Sequence, residues 1–176
     1  MRITDHTPLR IAGALATCAA AALLTTAPAE AAGKTSAACT NHFVATISPG
    51  FSPIATAGTQ TTNGQTGSIA CVGRIAGHRV TGIGTIGFDA TYSGGTCASE
   101  TATGTVRATI PTTGGPQHLV GALTVRRTAL SISATVRFNH GIRYRGVGTP
   151  IPVQGNCAMT PLQQAVIVLT GTLSSQ

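Results

Sequence analysis

Asp89 and Glu100 are the two carboxylate side chains beyond residue 31 of this 176-residue chain. A hydrolase that divides acid and base roles between two carboxylates would have to draw that pair into one cleft. A Ser-His-Asp triad would need one of them to orient its histidine, and the sequence has no Gly-x-Ser-x-Gly elbow. For catalysis the residues to inspect first are Asp89, Glu100 and His78, which the strand order derived below places in one region. The histidines beyond residue 31 are His42, His78, His118 and His140. They share no metal-ligand spacing, so surface or loop positions are expected and no metal is. Gly82-Ile-Gly84-Thr-Ile-Gly87 matches GxGxxG, but a dinucleotide fingerprint needs a strand before it and a helix opening at it. Here the glycines sit inside a strand pattern, so neither a nucleotide nor any other cofactor is expected. Bare backbone at Gly82 and Gly84, repeated at Gly146 and Gly148 on the face of Tyr144, leaves room for large side chains or permits tight coiling.

The chain carries eleven Lys and Arg against four Asp and Glu, a formal net charge of +7. Setting aside Arg2, Arg10, Asp5 and Glu30 leaves nine basic residues against two acidic ones. Such a balance favours anionic partners, here a cell-envelope polymer or a membrane surface, while solubility alone is the plain alternative. The arginines are dispersed along the chain, which disfavours nucleic acid.

Arg2 and Arg10 precede an apolar run from Ile11 to Ala27, and Ala27-Pro-Ala-Glu-Ala-Ala32 follows it. That order predicts a cleavable secretion signal over residues 1–31, cut after Ala31, with Ala29 and Ala32 as alternative sites. The run is short for a membrane span, which needs about 20 residues. Cys18 follows Leu-Ala-Thr and offers a second reading as a lipidation site, with Thr17 a poor residue before it. Residues 32–176 then form a single secreted domain. Its four cysteines, Cys39, Cys71, Cys97 and Cys157, have no CxxC spacing, and an even count in an exported chain predicts two disulfides.

The elements that must position these residues are strands. Gly, Thr, Ser and β-branched residues dominate, and helix formers are scarce. Leu130, Ile132, Ala134, Val136 and Phe138 alternate with Ser131, Ser133, Thr135 and Arg137, a strand with one dry and one wet face. Leu119, Gly121, Leu123 and Val125 do the same in the strand before it. The pattern predicts about eight strands, near 41–48, 66–74, 78–88, 103–111, 118–126, 129–138, 143–151 and 164–173. The fold class is all-β, an antiparallel meander closed into a barrel of about eight strands, with a β-sandwich as the alternative. Residues 49–65 are punctuated by Pro49, Gly50, Pro53 and Asn63-Gly64, and read either as a long loop or as hiding a strand around 54–57. In such a meander, Cys39 and Cys71 share one end and Cys97 and Cys157 the other, so those pairs are predicted. An extra strand at 54–57 would flip that parity. Arg126, Arg137, Arg143 and Arg145 fall on wet faces of neighbouring strands and would form a basic band.

The signal segment, Cys71, Cys97, the paired Gly-x-Gly at 82–84 and 146–148, and Pro152-Val-Gln-Gly-Asn-Cys157-x-x-Thr-Pro-Leu162 resemble small secreted glycine-rich β proteins of actinomycetes. No activity is assigned to that group, so the resemblance brings no functional residue. Three functions stay in play: a non-enzymatic binding or surface-interaction domain with a basic face, a lipocalin-like carrier of a small apolar ligand, and an enzyme using Asp89 and Glu100. Eight strands suffice to enclose one small ligand or side chains alone.

Overall fold

The computed structural model describes residues 33–64 and 66–175. The expected signal segment and Cys18 lie outside the described residues. The strands are β1 Ser36–Phe51, β2 Thr56–Thr61, β3 Gly67–Ile75, β4 His78–Arg79, β5 Ile83–Gly95, β6 Ser99–Ile110, β7 Gln117–Thr128, β8 Ile132–Phe138, β9 Ile142–Gln154 and β10 Leu162–Ser175. β5 to β10 pair consecutively and antiparallel, and β10 returns to pair with β1 from Ser36↔Ser174 to Thr46↔Gln164. The gap between β1 and β5 is filled twice over. β2 bridges them at one end (Ser48↔Thr59, Gln60↔Ala90), and β3 at the other (Ala38↔Val72, Ile69↔Gly84). Both run antiparallel to β1, so β2 and β3 are one stave broken between Thr61 and Gly67, and the barrel has eight staves.

The break has a local cause. Asn63 and Gly64 adopt positive φ (49° and 97°), which lifts the chain out of the wall. Thr62 stays buried and fills the gap, its N–H donating to the Phe88 carbonyl at 3.1 Å and its Oγ1 accepting from Phe88 N–H at 2.9 Å. The segment 49–65 therefore does contain a strand. It lies in line with β3 and adds no reversal, so the cysteine parity survives.

Let β1 run upward. The connections at 52–55, 96–98, 129–131 and 155–161 then lie at the upper end, and those at 76–82, 111–116 and 139–141 at the lower. Cys39 and Cys71 are register partners on β1 and β3, bonded with Cα atoms 4.1 Å apart. Cys97 and Cys157 join two upper connections, with Cα atoms 5.7 Å apart. Both bridges are those expected from the sequence, and bonds of this kind persist in oxidising compartments such as the extracellular space.

Period-two alternation sends Phe43, Phe88, Leu123, Phe138, Ile167 and their like inward, and most Thr, Ser and Arg outward. That is the reverse of a membrane barrel, whose apolar residues face lipid. Among the described residues no helix is long and apolar enough to cross a membrane. Two expected placements change. Leu130 is 83% exposed in the 129–131 turn, because β8 starts only at Ile132. Gly82 precedes β5 and is exposed, so only Gly84 of that pair lies in the wall, where a Cβ would fall 2.2 Å from the Thr109 carbonyl oxygen.

Candidate functional site

The outer wall gathers three of the four arginines of the expected band. Arg137 on β8 stands directly opposite Arg143 on β9, and Arg145 follows on the same face opposite Thr135. Arg137 and Arg145 are exposed and Arg143 is half-buried. Arg126 is also exposed, but its partner on β8 is Ser133, four residues along from Arg137, or about 13 Å at strand rise. Arg126 therefore belongs to the upper end of the wall, away from the other three.

The carboxylates do not meet. β5 turns Phe88 and Ala90 inward and Asp89 outward, where it accepts from Thr61 Oγ1 at 2.7 Å and faces Arg107 Nη1 at 3.5 Å. Glu100 points into the barrel at the upper end, on the inward parity of Ala102. His78 is exposed in β4 at the lower end. The expectation that Asp89, Glu100 and His78 share a region is thus corrected: strand parity separates the two acids across the wall, and strand direction separates Glu100 from His78. His42, His118 and His140 are exposed as well.

Inside the upper end lies a charge cluster that sequence reasoning missed. Glu100 and Arg127 are register partners on β6 and β7, and Arg127 Nε lies 3.3 Å from Glu100 Oε2. Gln60 Nε2 donates to Glu100 Oε1 at 2.7 Å. Arg127 also donates to the carbonyl oxygens of Cys97, at 3.0 Å, and of Thr96, and its guanidinium lies 4.4 Å from the Phe51 ring centroid. Burial pushes the Glu100 carboxyl above its ordinary range, with the Gln60 hydrogen bond and Arg127 opposing that rise. The signal was present in the sequence: Arg127 continues the inward parity of Leu119, Gly121, Leu123 and Val125, and Glu100 that of Ala102.

The interior is nearly filled. A void of about 50 Å³ remains, lined mostly by apolar side chains such as Phe43, Phe88, Leu123 and Ile167. Asn41 and Tyr144 bring polar atoms to it, with Asn41 Nδ2 donating to Tyr144 Oη at 2.9 Å and Asn41 Oδ1 left without a partner. Burial pushes the Tyr144 hydroxyl up to about 12. Gly146 and Gly171 make room for that ring, since a Cβ at either would lie 2.2 Å and 2.7 Å from its atoms. Cavities that hold benzene are about 150 Å³, so this void suits a few waters rather than a ring-sized ligand.

Comparison with protein-family models, with curated proteins and with solved structures returns no match.

Proposed function

We propose that this chain is a secreted, non-enzymatic docking domain that holds to anionic surfaces through arginines on its outer wall. One observation carries the reading: Arg137 and Arg143 stand directly opposite each other on adjacent strands, facing outward, with Arg145 beside them. Like charges placed opposite on a sheet are destabilising, and an anion lying across them relieves the repulsion. The two acids of the described residues are engaged elsewhere, Asp89 with Arg107 and Glu100 with Arg127. The small interior void weighs against a carrier, and the separated carboxylates weigh against an enzyme that uses both.

The test uses protein recovered from culture medium, which should begin near Ala32. Its binding to immobilised poly(glycerol phosphate) is measured at rising salt. Arg137→Gln with Arg145→Gln should weaken binding clearly more than Arg107→Gln with Arg126→Gln, and the difference should fade as salt approaches physiological strength, where exposed charges are screened beyond about 8 Å. Equal losses would reduce the effect to net charge and remove the site.

A further inference from the structure

A second outward patch lies at the lower end, four staves round the barrel from β8. Ala38 stands opposite Val72, and Ala70 opposite Ile83, all facing solvent. Val72 and Ile83 are 83% and 71% exposed, and as diagonal neighbours across β3 and β5 they are within reach of each other. At the edge of this patch Arg74 stands directly opposite Arg79 on β4, both exposed. Arg74 Nη1 donates to the Gly77 carbonyl at 2.9 Å, and Gly77 N–H donates to the Lys34 carbonyl at 3.2 Å, which brings the backbone of a third basic residue to the same turn. The two acids of the described residues lie elsewhere, on the outer face beside Arg107 and inside the upper end.

An apolar patch alone admits many occupants. Two arginines set against each other at its border narrow the choice to a surface that is anionic and apolar at once. A wall polymer offers phosphates but nothing for Val72 and Ile83 to enter. A bilayer with anionic headgroups offers both layers, phosphates at the level of the guanidiniums and acyl chains just beneath. We propose that this lower corner docks on an anionic lipid bilayer, with Val72 and Ile83 entering the headgroup–acyl boundary and Arg74 and Arg79 pairing with lipid phosphates. Interfacial attachment of this kind scales with the apolar area inserted and with the charge attracted. The inference rests on the anionic-surface reading above for the sign of the partner, and it names different residues.

The experiment is co-sedimentation with phosphatidylglycerol–phosphatidylcholine vesicles, alongside poly(glycerol phosphate) beads, each variant first shown to keep the unfolding midpoint of the wild type. Arg74→Gln with Arg79→Gln should weaken vesicle binding about 20-fold at low salt. Val72→Ser with Ile83→Ser should weaken it about tenfold at physiological salt, where apolar insertion dominates. Should that variant fold poorly, Val72→Thr with Ile83→Thr gives a smaller loss in the same direction. Arg137→Gln with Arg145→Gln should leave vesicle binding within about twofold while still losing the polymer beads. Unchanged binding by the Val72/Ile83 variant, or wild-type protein that binds beads but not vesicles, overturns the inference and spares the earlier reading. Vesicle binding lost only through Arg74, Arg79, Val72 and Ile83, with no bead binding, does the reverse. Binding to neither support removes both.

Discussion

The two ends of the barrel are closed by different physics. At the upper end, three connections and the end of β7 are tied together by polar and covalent links. Cys97 N–H donates to the Ser52 carbonyl at 2.9 Å, Cys97 is bonded to Cys157, and Arg127 reaches from β7 to the carbonyls of residues 96 and 97. At the lower end, Ile75, Ile110 and Leu173 are fully buried and short backbone bonds close the turns, such as Thr113 N–H to the Arg79 carbonyl at 2.8 Å and Ser175 N–H to Thr35 at 3.1 Å. One end has drawn an arginine and a glutamate inside. The other is sealed at its tip by aliphatic side chains and carries Arg74, Arg79 and Arg137 on its outer rim, with Arg143 half-buried beside Arg137. The buried charges are matched within the fold, whereas Arg74, Arg79 and Arg137 present theirs to solvent.

Removing Arg127 should break this contrast most severely. Arg127→Ala leaves Glu100 buried without its cation, and unfolding by denaturant should show a loss of about 3–5 kcal/mol. Arg127→Met combined with Glu100→Leu should recover most of it, because a well-packed apolar pair avoids the desolvation penalty. If the double variant is no better than the single one, the bonds from Arg127 to the 96–98 connection matter more than the ion pair.

The disulfides sharpen the same contrast at a smaller scale. The Cys97–Cys157 bridge closes a separation of 60 residues and Cys39–Cys71 one of 32, so removing either pair should cost about 2–4 kcal/mol. The location of the damage should differ. Cys97→Ala with Cys157→Ala should speed amide exchange at 52–55, 96–98 and 155–161 and spare the lower turns. Cys39→Ala with Cys71→Ala should leave the upper connections protected.

The smallest expected effect is a pH dependence. Glu100 is raised in the folded state, so below its ordinary value it is neutral both folded and unfolded and stability is at its fullest. As pH climbs from that value through the raised one, the unfolded chain releases its proton first and stability falls, by at most about 1.4 kcal/mol per pH unit. Glu100→Gln should flatten the fall in that window, as read from unfolding midpoints. A wild type that gains stability there would show that Arg127 and Gln60 outweigh burial.

Strand parity made much of this molecule legible. It placed Leu119 to Val125 inward, paired the cysteines by end, and set Arg137, Arg143 and Arg145 outside. It failed where a dry face is not apolar. The inward positions of β2 are Thr56, Gly58 and Gln60, which carry no apolar period, so the upper half of the broken stave read either as loop or as a strand near 54–57, short of its true extent. The pairing of Glu100 with Arg127 escaped notice for the same reason: the two lie 3.3 Å apart inside the wall, and a sequence shows polarity without showing the partner. Leu130 failed the other way, an apolar residue in register with its strand that the turn leaves in solvent. Asp89 was misjudged as a companion of Glu100 because strand order says nothing about which side of a wall a side chain takes.

The pairing of β1 with β10 has a temporal consequence. Ser36 meets Ser174, so the seam that shuts the cylinder joins positions near opposite ends of the described chain. Loop-closure entropy opposes such a contact until the intervening hairpins have drawn its ends together. A nascent chain can zip β5 through β9 hairpin by hairpin, yet β1 has only the shorter β2 and β3 to hold until the 14 residues of β10 arrive. Non-local closure of this kind sets the barrel among the slower folders, and leaves the first strand waiting for the last.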